Sequence, residues 1–410
     1  MSELMFALNT VYILFSAALV MWMAAGFTML EAGSIRKKDV AEVVTKNLGL
    51  YSIACFMYLL CGFSLMYPGD NIISSFLPKI GSSWGLNSHM LTFNKELGFS
   101  EAANFFFQAV FVATTMSIIS GAVAGRMNLI PFFILSVVVT GFIYPIEGFW
   151  KWGGGFLDKL GYKDFAGSGI VHVCGASAAL ATILFLGPRH GKYCDKFGNA
   201  TPMPPSSIPL VALGGFILWL GWFGFNGGSQ LAISTVKDAS TVSQVFMNTN
   251  AAAVAGVIGA LLCCKLNTGK IDVTMVVNGA IAGLVAITAS PDTPSAGTAS
   301  IIGFIASILV YYSILFFERV AKVDDPVGAI SSHGTAGIFG VMVVPFTNDA
   351  ASYGIQALGF VCIFLWTFIT VSIVVFLIKF SIGLRPTKEE ELLGLDALEC
   401  GMKAYPEFGK

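Results

Sequence analysis

Long apolar runs separated by short polar segments fill the chain from Leu4 to Leu384. A run of about 20 apolar residues is what a helix needs to cross a hydrocarbon layer of roughly 30 Å. The pattern predicts an all-α membrane protein with eleven transmembrane helices, at 5–31, 43–67, 102–124, 129–150, 167–187, 207–227, 244–265, 272–288, 299–321, 328–346 and 355–384. Everything after 384 is polar and charged, including Lys388-Glu389-Glu390-Glu391. The chain therefore divides into a membrane domain, 1–384, and a tail, 385–410.

Composition agrees. Of 410 residues 55% are hydrophobic and only 11% charged, where a soluble domain has about 25%. The net charge of −1 gives no reason to expect nucleic acid. The first run is too long for a signal-peptide core and lacks a basic segment before it, so no signal peptide is expected. Charge placement sets orientation, because Lys and Arg gather on the cytoplasmic side. With the N-terminus outside, 17 Lys and Arg residues fall inside, Lys196 and Lys410 among them, and 6, including Lys95, fall outside. The expected topology is N-out, C-in. No cysteine falls in an outside loop, since Cys194 and Cys400 lie on the cytoplasmic side and the rest in or beside spans. No disulfide framework and no metal-ligand spacing is expected, and no cofactor is implied.

Two stretches repeat. Asp164 to His172 (DFAGSGIVH) and Asp325 to His333 (DPVGAISSH) share one Asp-to-His separation, and each opens an apolar run. Gly26-Phe27…Glu31 likewise matches Gly221-Trp222…Asn226. With the alternating topology, the two histidines enter from opposite faces. The reading is an inverted five-plus-five repeat, 5–187 and 207–346, followed by an extra helix, 355–384. A histidine inside a span marks a candidate functional site. Alone, each could be a buried polar group bonded to backbone. As a pair they could hydrogen-bond each other and offer a line of polar atoms to a small solute or a proton.

The motifs Trp152-Gly153-Gly154-Gly155, Asp164 to His172, Gly221-Trp222-Phe223-Gly224-Phe225-Asn226-Gly227-Gly228-Ser229, Val323-Asp324-Asp325-Pro326 to His333-Gly334, and Gly383-Leu384-Arg385 with Gly394-Leu395-Asp396 resemble the Amt/MEP/Rh family of ammonium transporters, on the Amt side. They cover nearly the whole chain. The resemblance implies a multi-pass protein of the cell membrane (the inner membrane, in a bacterium). It further implies a homotrimer with one pore per protomer in the lipid bilayer, ammonium or ammonia as substrate with methylammonium a candidate analogue, and a cytoplasmic PII-type regulator as a candidate partner of the tail. The tail departs from the family where it reads Cys400-Gly401-Met402-Lys403-Ala404-Tyr405.

By that resemblance His172 and His333 are the twin histidines of the pore, with Trp222 lining the lumen. Phe111 and Phe225 are the stacked gate, with Phe107 one turn from Phe111. Trp152 would hold the cation on its ring face at about 0.5–2 kcal/mol, although an interfacial belt tryptophan is the plainer reading, and Trp150 reads as one. Ser229 supplies a hydroxyl acceptor or simply ends its helix. Asp164 could touch the cation or cap the helix that follows. Asp325 at the matching position favours the cap. Thr288 lines the pore or caps its helix. Glu31 reads as scaffolding at the cytoplasmic end rather than as a proton acceptor. Three activities compete. A transporter uses all these residues. A sensor on the same fold usually carries a signalling domain, and only 26 residues follow 384. An intramembrane hydrolase built on Ser168 and His172 would leave His333 without a role, so no enzyme is expected.

Overall fold

The structure is a computed structural model, and it describes residues 2–81, 97–193 and 198–408. Cys194, Lys95, Lys196 and Lys410 lie outside the described residues. In a bilayer every backbone N–H and C=O has to be satisfied within the protein, and the described chain is accordingly mostly helical. In order come α1 (Glu3–Ser34), α2 (Val40–Met57, continuing through a π turn, Tyr58–Gly62, into Phe63–Met66) and α3 (Glu101–Val123). Then follow α4 (Leu129–Val138, a π turn Val139–Ile143, then Tyr144–Lys151) and α5 (a π turn Ser168–Val173, then Cys174–Leu186). The second half holds α6 (Ile208–Gly228), α7 (Val236–Thr268), α8 (Val273–Ile287), α9 (Ala296–Arg319), α10 (a π turn Ile330–Thr335, then Ala336–Thr347) and α11 (Tyr353–Ser381). A small antiparallel ribbon, Ile72–Ser74 with Leu77–Pro78, sits between α2 and α3.

Ten of these helices are long and apolar enough to cross a membrane. α8, with 15 residues, is shorter. At 1.5 Å per residue it reaches about 22 Å, less than the roughly 30 Å hydrocarbon core. Its ends are set by polar residues: Asp272 accepts the Thr274 N–H at 2.8 Å, and Thr288 closes the other end. α7 begins eight residues before the expected 244, because Thr235 caps it and a polar turn extends the helix beyond its apolar part. Side-chain caps also open α6 (Ser207) and α9 (Ser295).

Glycines let α1 and α6 meet backbone to backbone. A Cβ on Gly224 would stand 2.6 Å from Ser16 O, and one on Gly33 2.7 Å from Val211 N. Close approach through small residues is how membrane helices gain packing that lipid does not already provide. Gly224→Val is expected to cost about 1–3 kcal/mol through overpacking, seen as a lower midpoint of thermal unfolding in detergent. An unchanged midpoint would mean that the seam can open.

At the Asp325 end, charges hold the loops together. Arg189 binds both carboxylate oxygens of Asp324 at 2.8 Å, and Arg126 donates to Asp324 O (2.6 Å) and Gly187 O (2.8 Å). Burial alone would raise the Asp324 pKa, but Arg189 and then Arg126 outweigh it and hold the carboxyl well below the usual carboxylate range. The tail returns to this surface. Asp396 accepts the Glu42 N–H at the start of α2 (2.9 Å), Leu395 N donates to Asp39 (3.1 Å), and Lys38 Nζ donates to Glu391 O (2.7 Å).

Candidate functional site

The two Asp-to-His stretches fold alike. Asp164 accepts N–H groups from Gly167 (3.2 Å), Gly169 (2.9 Å) and Ile170 (2.9 Å). Asp325 accepts from Gly328 (3.0 Å) and Ile330 (2.8 Å). Gly167 (φ 109°) and Gly328 (φ 77°) lie where a side chain would strain the backbone, so glycine is the residue that fits each turn. A Cβ on Gly167 would also press on the Trp152 ring, 3.1 Å away. Each cap launches a π turn, a rare element often found at functional sites, and each π turn carries its histidine.

The two π turns deliver the rings to one place. His172 Nδ1 and His333 Nδ1 are 3.1 Å apart and both rings are buried. One Nδ1 must donate and the other accept, so the neutral pair holds opposite tautomers. His172 Nε2 is buried without a hydrogen-bond partner.

From this pair a line of rings runs both ways. His172 stacks near Phe225 (5.5 Å between centroids) and on Trp222 (5.3 Å). Phe225 stacks on Phe111 at 4.0 Å and 16°. Phe111 meets Phe107 at 4.6 Å and Trp152 edge-on at 6.1 Å. On the other side His333 faces Phe27 at 6.1 Å. Rings stacked at 4.0 Å leave no space for a hydrated ion between them.

Polar partners fix the line. Trp222 Nε1 donates to Thr288 Oγ1 at 2.8 Å; Thr288 in turn lies 2.7 Å from Leu284 O and 3.0 Å from Asn226 Oδ1. Trp152 Nε1 points at Asp164 O, 3.3 Å away. The Asp164 carboxylate is buried, with both oxygens taken by backbone. Ser229 joins through its hydroxyl, which donates to Phe225 O at 2.8 Å. Trp150, by contrast with its expected place in an interfacial belt, is buried and donates to Phe76 O at 2.8 Å. Ser168 donates to Val285 O at 2.7 Å, which commits the hydroxyl that a hydrolase would need.

Phe27, Asn226 and Asn278 belong to the site and were not predicted as such. The repeat contains the signal for the first: it pairs Phe27 with Trp222, and each packs on one histidine. Asn278 accepts from Ser332, next to His333, at 2.7 Å. Beyond His333 a narrow cavity shares Asn278 and Val327 in its lining with a vestibule of about 710 Å³ bordered by Asp325, Arg189 and Lys192.

Known proteins share this arrangement of helices. The sequence profile of the Ammonium Transporter Family matches residues 11–405. The chain is 38% identical to the ammonium transporter Amt2 of Archaeoglobus fulgidus, over 97% of this chain and 88% of that one. It is similar to the solved structure of a sensor Amt protein, with a TM-score of 0.90 and 33% identity over 97% of this chain and all of the other. It also resembles the crystal structure of Candida albicans Mep2, with a TM-score of 0.82 and 26% identity over 98% of this chain and 91% of that one. Capped histidine helices, a stacked aromatic line and near-complete coverage by the family profile lead to one conclusion: this multi-pass membrane protein belongs to the Ammonium Transporter Family.

Proposed function

We propose that the protein transports ammonium by separating it from its proton. The observation that carries this reading is the unbroken run of rings from Trp152 through Phe111 and Phe225 to His172 and His333. Potassium resembles ammonium in size and charge, so a simple pore cannot tell them apart. Only ammonium can shed a proton. Trp152 would recruit the cation by its ring face, with Ser229 as a hydroxyl acceptor and Asp164 shaping the entrance. The Phe111–Phe225 stack then faces the ion with an apolar barrier, where burying an unpaired charge costs tens of kcal/mol by idealised estimate. Ammonia passes; His172, His333, Trp222, Phe107 and Thr288 line its path.

The same reading counts α8 as an eleventh crossing of the inverted repeat, places Trp152 outside and the tail inside, and assembles the protein as a homotrimer. The membrane domain is 1–384, and the 385–410 tail is where a PII-type regulator would dock. No enzymatic reaction is assigned: the relatives above are named transporters or a sensor.

Ammonium-evoked current and uptake by the purified protein in proteoliposomes test this. Uptake with current means that charge accompanies ammonia; uptake without current means ammonia alone. A second reading, ammonium sensing, is favoured by the likeness to the sensor Amt protein over its full length. Saturable ammonium binding without uptake would establish that reading and end the first.

A further inference from the structure

The sequence assigns Glu31 to scaffolding, and its position says more. Glu31 is fully buried near the end of α1. One carboxyl oxygen, Oε2, is held by Asn47 Nδ2 (3.0 Å) and Ser120 Oγ (2.8 Å). The other, Oε1, has no hydrogen-bond partner. Glu31 lines the narrow cavity beyond His333 together with Phe27, Ser117, Gly121, Ser332 and His333 itself. Oε1 lies on the Gly121 side, where glycine leaves it room.

The repeat provides an internal comparison. Asn226 occupies the matching position in α6, and both ends of its amide are engaged, Nδ2 to Thr249 (3.0 Å) and Oδ1 from Thr288 (3.0 Å). An amide is enough to brace that position. At Glu31 the brace uses one oxygen, and the second is left for the cavity.

Charge balance points the same way. Among the described residues, the charged or titratable groups around Glu31 are Lys46 and Glu42 from α2 and His333 from α10, whereas α3, α6 and α8 bring Ser117, Ser120, Leu218 and Asn278. Lys46 lies 3.2 Å from Glu42, and both are buried. That pair engages the ammonium nearest to Glu31. Among the described residues Glu31 forms no ion pair and shares the Lys46 charge with Glu42, so a carboxylate here is only partly compensated and is disfavoured by its burial.

We infer that Glu31 is a proton-exchange residue of the pore, returning a proton to ammonia after it passes His333. This rests on the transport reading above. In the step, the Glu31 O–H bond breaks as an N–H bond forms, giving ammonium and a carboxylate. Ammonium leaves through the vestibule. A hydronium ion from vestibule water reprotonates the carboxylate, so protons and charge balance and no electrons move.

The test uses the full chain in proteoliposomes, with Glu31→Gln and Glu31→Asp. Glu31→Gln keeps an acceptor for Asn47 and Ser120 but cannot exchange the proton. Its uptake should fall about a hundredfold, within the usual range for removing a general acid or base. The dependence of uptake on vestibule-side pH should flatten, and Glu31→Asp should restore part of both. The ammonium-induced infrared difference spectrum should contain a carboxylic-acid band that Glu31→Gln removes. Wild-type rate and wild-type pH profile in Glu31→Gln would overturn the inference and leave transport standing. Wild-type protein that passes no ammonium would overturn the transport reading first. If Glu31→Gln does not fold, the spectrum of wild-type protein decides: no carboxylic-acid change on adding ammonium overturns the inference, and a band that Glu31→Asp shifts supports it.

Discussion

Asp164→Ala is expected to abolish ammonium uptake. The carboxylate holds three backbone N–H groups, those of Gly167, Gly169 and Ile170. Each buried donor left without a partner costs about 1–3 kcal/mol. No solvent reaches the site to compensate, because Asp164 is 2% exposed. The turn that loosens is the one that starts the π turn of His172, and the Asp164 carbonyl faces Trp152 Nε1 at 3.3 Å. One substitution thus disturbs both the Trp152 ring and the histidine pair. Uptake by reconstituted protein, with size-exclusion elution as the check on folding, measures this. Normal uptake by a correctly assembled Asp164→Ala protein would exclude a role in shaping the entrance and a role in binding the cation alike.

Asp324→Ala should have the second largest effect, on stability rather than on the pore. Arg189 and Asp324 are 5% and 1% exposed at their side chains and bonded through both carboxylate oxygens. Removing one partner of such a pair leaves a buried charge unpaired and costs about 3–5 kcal/mol. Thermal unfolding in detergent should show the loss directly, and a shift no larger than that of a surface substitution would refute it. The pair also predicts the acid limit of the fold. The folded-state pKa of Asp324 is depressed by Arg189 and Arg126 against the push of burial. Its contribution is therefore complete above the unfolded-state pKa of about 3.9 and is lost as pH falls below that, toward the lower folded-state value. Wild-type stability should drop in that window more steeply than that of Asp324→Ala, which has no such carboxyl to protonate.

Apolar runs located the helices well because hydrocarbon imposes both length and composition. They located ends less well. Thr235 and the polar turn after it extend α7, and Asp272 with Thr288 bounds α8 at 15 residues; hydropathy does not register a cap. The Asp-to-His spacing named the two helices that carry the histidines, but nothing local in SGIVHV or ISSHGT announces a π turn. Those turns depend on the Asp caps and on packing such as Gly337 against Ser168 O. Trp150 was misplaced because a tryptophan near a span end looks the same whether it meets lipid or Phe76 O. Arg189 and Asp324, 135 residues apart, form no local pattern. Glu31 reads as scaffolding, and only its hydrogen bonds reveal that one of its oxygens is committed and the other is not.

The Nδ1-to-Nδ1 bond between His172 and His333 makes the pair directional. With opposite tautomers, one outer nitrogen is bare and the other carries hydrogen. A proton arriving at the bare nitrogen can release another at the far end, but only by reversing the central bond. Both rings then hold the opposite tautomer, and the entry nitrogen is occupied. A second proton from the same side finds no acceptor until the rings turn over or a proton returns the other way. A neutral molecule such as ammonia passing along the edges would leave the tautomers as they were and need no such reset. On the transport reading proposed above, the 3.1 Å contact would let one proton pass per resetting, while setting no equivalent limit on the neutral molecule.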